Sequence, residues 1–291
     1  MFGKKNLIIR SADHQDMKVL SQLVHFDAYV HRHLDYREPL EWIGSRPFLV
    51  LERDGKIEST LVCPPDPPRV AWIKMFAASR QIRPQKAWEE IWSEAKDILL
   101  QLPGVQWAAA IPLQNWFKFL LEKSQFEVSH YIVMMKWQKQ PIENGTLPFG
   151  ISVRPMTLDD LAAISIIDQR AFVPVWQNSI DTLEIAFRQA GIATVALLNG
   201  LVAGYQISTP THMGGHLARL AVLPEYQGKG LGTALLSDLL AQFARRGALV
   251  VTVNTQKDNQ VSLSLYKKAG FIFSGEEYPI YQYGVQNPQH E

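Results

Sequence analysis

Three features of this chain recur about 145 residues further on, and a chain that repeats itself over that distance folds as two copies of one domain. Ile9-Arg10 followed by Asp16-Met17 is echoed by Val153-Arg154 followed by Asp160-Leu161, each a short strand and then a capped amphipathic helix. Phe48-Leu49-Val50-Leu51 with Asp54-Gly55 and Ile57 parallels Thr194-Val195-Ala196-Leu197 with Asn199-Gly200 and Val202. Both read as hairpins closed by an Asx-Gly turn. Gln125-Phe126 and Gly270-Phe271 each follow an amphipathic helix. Between the copies, Gln138 to Gly150 is rich in turn formers and lacks periodicity. The expected organisation is a first α/β domain over 1–140, a linker over 141–150 and a second α/β domain over 151–291.

The copies diverge where chemistry belongs. In the second, an apolar strand from Leu217 to Leu223 stops at Pro224, and Gln227-Gly228-Lys229-Gly230-Leu231-Gly232 leads straight into a helix. Leu231, Leu235, Leu236, Leu239, Leu240 and Phe243 recur along it at helical spacing, and Arg245-Arg246-Gly247 closes it. Glycines allow a tight turn and a close ligand approach. Successive N–H groups at a helix start point outward with the positive dipole end behind them, which suits a pyrophosphate. A Walker loop needs Gly at Leu223 and Ser or Thr at Gly230, and a dinucleotide fingerprint from Gly228 needs Gly or Ala at Thr233. Neither fits. The first copy has Arg80-Gln81-Ile82-Arg83-Pro84 at the matching place, without a glycine, and holds seven of the 8 tryptophans. Trp88 and Trp92, one helical turn apart, read as core.

The turn resembles the pyrophosphate motif of the GNAT superfamily of acetyltransferases, Gln/Arg-x-x-Gly-x-Gly/Ala, with Gln227, Gly230 and Gly232 at its fixed positions. The segment after it resembles the later GNAT motif: a strand ending near Val253, then Asn259, Leu265-Tyr266 and Gly270-Phe271. The second helix is expected over Val261 to Ala269, after a polar Asn254–Asn259 loop, and the tail from Phe271 to Tyr283 as two strands. The resemblance implies two tandem GNAT-like α/β domains, each a mixed, mostly antiparallel sheet flanked by helices, the first a degenerate copy in which Leu121 stands opposite Tyr266. It implies acetyl-CoA between two parted strands. The backbone of Leu220, Ala221 and Val222 is then expected on the pantetheine arm and acetyl carbonyl, and residues 227–233 (Gln227, Gly228, Lys229, Gly230, Leu231, Gly232 and Thr233) around the pyrophosphate. Asn259 is expected to bond the pantetheine or hold its loop. Tyr266 is the expected general acid, and the Val222 amide the expected donor to the carbonyl oxygen.

The implied reaction is N-acetyl transfer to a primary amine by direct attack in a ternary complex; an acetyl-CoA-binding sensor is the alternative. His216 at the strand start is the first candidate base, with His212 and Glu184 behind it. An acceptor, small molecule or peptide, is expected against Phe172, Trp176 and Phe187. A net charge of +1 at pH 7 gives no case for nucleic acid or a membrane surface. Hydrophobic content of 47% and charged content of 20% describe a folded globular chain. Cys63 is the single cysteine, so no internal disulfide forms and cytoplasmic residence is expected. No spaced Cys/His set suggests a metal. Oligomeric state and acceptor identity are left open.

Overall fold

A computed structural model describes residues 7–26, 29–138 and 147–285; of the expected linker, residues 141–146 lie outside these. Two compact units emerge, residues 1–129 with 279–291, and residues 130–278. These bounds fall inside strands and not in the turn-rich segment, because strand pairing decides where residues gather.

The first unit contains β1 (Leu7–Ser11), α1 (Met17–Phe26), β2 (Tyr29–Arg32), β3 (Phe48–Arg53), β4 (Lys56–Val62), β5 (Val70–Trp72) and β6 (Met75–Ala78). It continues through α2 (Pro84–Gln101), β7 (Trp107–Ala110), α3 (Asn115–Lys123) and the start of β8 (Glu127–Gln138). Its strands run β1-β3-β4-β6-β2, while β5 lies parallel to β7. The central strands are buried on both faces: α2 covers Leu49, Leu51, Leu61 and Phe76 with Ala87, Trp88, Ile91, Trp92, Ala95 and Leu99, and α1 covers Phe48, Val50, Val62 and Met75 with Leu20, Leu23 and Val24. Trp88 and Trp92 stack at 5.5 Å in that core, as their spacing predicts. Tyr281–Gly284 pair antiparallel with Ala110–Trp107, which brings the end of the last described strand into this unit.

The second unit contains β9 (Ile151–Pro155), α4 (Leu161–Ala171), α5 (Ile180–Gln189), β10 (Ile192–Leu198), β11 (Leu201–Thr211) and β12 (Gly214–Val222). Then follow α6 (Leu231–Arg245), β13 (Val250–Gln256), α7 (Gln260–Lys268) and β14 (Ile272–Gly284), whose residues from Pro279 count with the first unit. Strands run β9-β10-β11-β12-β13, and residues 132–138 of β8 pair antiparallel with β13. The apolar stripe of α6 packs on the sheet through Leu236, Leu239, Leu240 and Phe243, as its periodicity predicts. Two expectations are corrected. Asn254–Gln256 extend β13 because β8 offers them a partner, so the polar loop is shorter than the composition suggests. The tail is one strand and not two: Gly275 and Pro279 read as breakers, yet both sit within the extended run of β14.

The duplication persists at atomic scale. Arg10 grips Asp16 through Nη1 and Nη2 at 2.7 and 2.8 Å, and Arg154 grips Asp160 at the same distances. Each aspartate also closes a capping box, with Asp13 in one unit and Thr157 in the other. Hydrogen bonds from the arginines hold both carboxyls below the usual carboxylate range. A depressed folded pKa contributes stability above the unfolded value that is lost as pH falls through the folded one. Urea unfolding of the natural chain is therefore expected to weaken more steeply below about pH 4 than that of an Arg10→Met/Arg154→Met variant. Equal slopes would show that these pairs do not set acid sensitivity.

Candidate active site

Strands β12 and β13 run parallel from Gly214↔Val250 to Leu217↔Val253 and then part. β12 continues alone to Val222, still paired with β11, while β13 continues against β8. The parting coincides with a bulge: Ile207 faces Arg219 and Ser208 faces Leu217, so Ala218 is the extra residue. A bulge bends its strand and sharpens the local twist, which turns β12 away from its neighbour.

The backbone beyond the bulge alternates. Leu223 N–H donates to the Ala203 carbonyl at 2.9 Å, so Ala221, two residues back, also bonds to β11. The polar groups of Leu220 and Val222 therefore point to the vacated edge. Of the three residues expected along a pantetheine arm, these two face the gap and Ala221 does not. Gln227 Nε2 donates to the Val222 carbonyl at 3.0 Å and ties the glycine turn to the strand end. Gly228 and Gly230 take φ of +76° and +97°, a region that costs other residues energy. No side chain caps α6, whose N-cap is Gly230. The N–H groups of Leu231, Gly232 and Thr233 thus lack intrahelical partners and a capping oxygen. That is what an anion needs.

A cavity of about 190 Å³ opens where the strands part. Leu220, Arg219, Asn254, Asn259 and Tyr266 lie on its wall, as do Phe172 and Trp176, which pack against Arg219. Phe187, the third aromatic expected to meet an acceptor, does not line it. Tyr266 comes from α7, ring to ring with Phe271 at 5.7 Å, and its burial pushes the phenol up. It keeps its proton at neutral pH. Asn259 caps α7, its side chain accepting the Ser262 N–H at 3.0 Å, which is the loop-holding alternative of its expected roles.

His216 stands elsewhere. It shares a hydrogen bond with Thr252 at 2.8 Å within the still-paired part of β12 and β13, and it is not on the cavity wall. Burial lowers its pKa. The other candidate bases are also apart: Glu184 pairs with Arg188 at 2.7 Å on α5, and His212 is exposed at the β11–β12 turn. What sequence reasoning missed is a buried polar cluster beside the cavity. Asp168 on α4, fully buried, accepts from Arg219 Nε at 2.8 Å, from the Tyr205 hydroxyl at 2.5 Å and from the Asn178 N–H at 2.7 Å. The signal was present as an aspartate on the apolar face of a helix and an arginine inside an apolar strand. Burial of either costs several kcal/mol unless the two meet, roughly the penalty for an unpaired internal charge.

The first unit has the same parting, with Val70–Trp72 parallel to Trp107–Ala109 and β6 beyond it. There, however, the vacated edge is occupied. β2 pairs along it, Arg32↔Met75 through Tyr29↔Ala78, at the positions matching Arg219–Val222 in the repeat. His31, wholly buried, stacks on Phe117 at 3.9 Å; burial lowers its pKa to about 3 and leaves it neutral.

Residues 161–271 match the Acetyltransferase (GNAT) family. N-alpha-acetyltransferase 30 of Schizosaccharomyces pombe is 29% identical over 88 residues, 30% of this chain and 59% of that protein. The ribosomal protein bS18 alanine N-acetyltransferase of Escherichia coli K12 is 28% identical over 120 residues, 41% of this chain and 80% of the enzyme. A GCN5-related N-acetyltransferase from Sphaerobacter thermophilus superposes with a TM-score of 0.62 at 16% identity, over 97% of this chain and 96% of its own. A tandem GNAT protein from the clavulanic acid biosynthesis pathway does so with a TM-score of 0.62 at 14% identity, over 98% and 99%. At such identities the structural likeness concerns the fold, and it extends over both units. The parted strands and uncapped helix thus lie within the span that matches this family: residues 161–271 form a GNAT-type acetyltransferase domain, in a chain whose fold over both units is that of a tandem GNAT protein.

Proposed function

We propose that the second unit transfers an acetyl group from acetyl-CoA to a primary amine by direct attack in a ternary complex. The observation that carries this is the parting of β12 and β13 beside the uncapped start of α6, with Tyr266 on the wall of the resulting cavity. The residues fit the donor. Amides from Gly228 to Thr233 suit its diphosphate, and the edge of Leu220 and Val222 suits a pantetheine amide. When bound, acetyl-CoA supplies an acyl group activated as a thioester. The Val222 N–H is a fixed donor for the carbonyl oxygen, where charge develops. Tyr266 holds a proton for the departing sulfur; desolvation that raises the phenol raises a thiolate in the same gap too, so the two stay matched. Cys63, the only thiol, is fully buried in the first unit, and burial pushes it up, which argues against an acyl-cysteine route.

The first unit, on this reading, is a degenerate copy that takes no coenzyme, since β2 lies where the pantetheine arm needs an edge. Among the described residues no helix is long and apolar enough to cross a membrane, and no group of His, Cys, Asp or Glu is arranged to hold a metal. Cytoplasmic residence belongs to the same proposal. Calorimetry with acetyl-CoA is expected to give one site per chain, and a screen of primary amines is expected to release free CoA. Two equal sites would overturn the assignment of the first unit. Binding without thiol release on any amine would favour the sensor.

A further inference from the structure

The segment between α4 and α5, residues 172–178, supplies Phe172 and Trp176 to the cavity wall, yet apolar burial holds little of it. Of these residues only Val175 is buried. A single carboxylate, that of the fully buried Asp168, does the holding instead. Its Oδ1 accepts the Asn178 N–H at 2.7 Å, which fixes the far end of the segment. Its Oδ2 accepts from Arg219 Nε at 2.8 Å, and Arg219 Nη2 donates to the Trp176 carbonyl at 2.5 Å. The guanidinium carbon lies 3.6 Å from the centre of the Phe172 ring. Tyr205 hydrogen-bonds both members of the ion pair. Gln177 Nε2 closes the segment on itself through the Gln169 and Phe172 carbonyls, at 2.9 Å each. Both aromatic side chains of the wall thus hang on Arg219, and Arg219 on Asp168.

Stability alone does not call for such an arrangement. A buried ion pair is often no better than apolar side chains of the same volume, because taking two charges out of water costs about what their attraction returns. What a fully bonded pair adds is direction, since each donor and acceptor has one place. Here that direction fixes Phe172 and Trp176, which line the same cavity as Leu220 and Tyr266. A transferase that holds a thioester in such a cavity must also keep water from reacting with it.

We propose that Asp168 and Arg219 are positioning residues that fasten residues 172–178 to β12, so that Phe172 and Trp176 keep water from the thioester of bound acetyl-CoA. This rests on the transferase reading and adds to it a guard against the competing acceptor. The reaction held back is hydrolysis. A water oxygen bonds to the acyl carbon as the C–S bond breaks, and Tyr266 gives its proton to the sulfur. One proton of the water returns to Tyr266 and the other goes to solvent, leaving acetate and free CoA.

Release of CoA from acetyl-CoA without any amine, followed with a thiol reagent, tests this independently of the acceptor. Asp168→Asn keeps a carbonyl for the Asn178 N–H and removes the counter-charge of Arg219. Asp168→Leu/Arg219→Met replaces the pair with apolar groups of similar volume, and its thermal melt is expected to stay close to that of the natural chain. Should Asp168→Asn fail to fold, the double variant still decides. In the double variant, calorimetric affinity for acetyl-CoA is expected to be little changed and amine-free release to rise severalfold. A pair that served folding alone would leave release unchanged or lower it. Adding Tyr266→Phe is expected to cancel the gain, because the sulfur departs with the same proton. Release at or below the natural rate, a gain that survives Tyr266→Phe, or a double variant that cannot fold each overturns the proposal. A natural chain that does not bind acetyl-CoA, or binds it and serves no amine, removes the transferase reading and the proposal with it.

Discussion

Replacing Gly230 with Trp is expected to abolish calorimetric binding of acetyl-CoA. Two effects act together. The backbone there has φ of +97°, which strains any residue with a Cβ and with it the aim of the turn's amides, and a Cβ would also stand 3.2 Å from Cγ of Pro148, which must give way. Charge-assisted hydrogen bonds are worth about 1.5–3 kcal/mol each, so losing two predicts a Kd at least about 100-fold weaker. A thermal melt distinguishes a lost site from a lost fold. Thr233→Asp offers an independent check that does not strain the backbone. An acid in the first turn stabilises a helix, so the melt should hold or rise while binding weakens, because the carboxylate competes with the diphosphate for the same amides. Unchanged affinity in both variants would place the coenzyme elsewhere.

Tyr266→Phe is expected to behave oppositely, with binding retained and turnover lost. The ring stays packed against Phe271 and only the hydroxyl disappears, so the stability change should be small. Removing a general acid costs on the order of 10²- to 10⁴-fold in rate. The loss should appear in kcat, with KM for acetyl-CoA little altered, because the proton is needed only as the sulfur leaves. Turnover within a few fold of the natural chain would assign Tyr266 to packing.

How far the sequence leads depends on the kind of signal. Glycine placement, the Pro224 stop and the leucine stripe of α6 act locally, and the corresponding turn and helix form where those residues predict. The strand-helix opening of each unit is legible for the same reason. Unit boundaries are not, since they depend on which distant strands pair: Tyr281 lies opposite Ala110, and Val250 opposite Gln138. Within the site, backbone groups follow ladder parity, which one register residue inverts, so the different facings of Ala221 and Val222 emerge only with the pairing known. The Asp168–Arg219 pair spans 51 residues and becomes visible only when α4 lies against β12. His216 illustrates the converse, a residue plausible by position whose ring is engaged by Thr252.

The strand at Tyr29–Arg32 carries one more implication. A peptide that docks by adding itself to an exposed sheet rim offers main-chain bonds in place of a ligand's. The first unit contains such a peptide within its own loop, where the second has the helix α5. With its rim permanently taken, nothing requires the following turn to hold phosphate, and Pro84 can open the helix there instead of glycine. If calorimetry finds a single coenzyme site per chain, self-complementation accounts for the missing glycines as a relaxed constraint and not as the cause of the lost site.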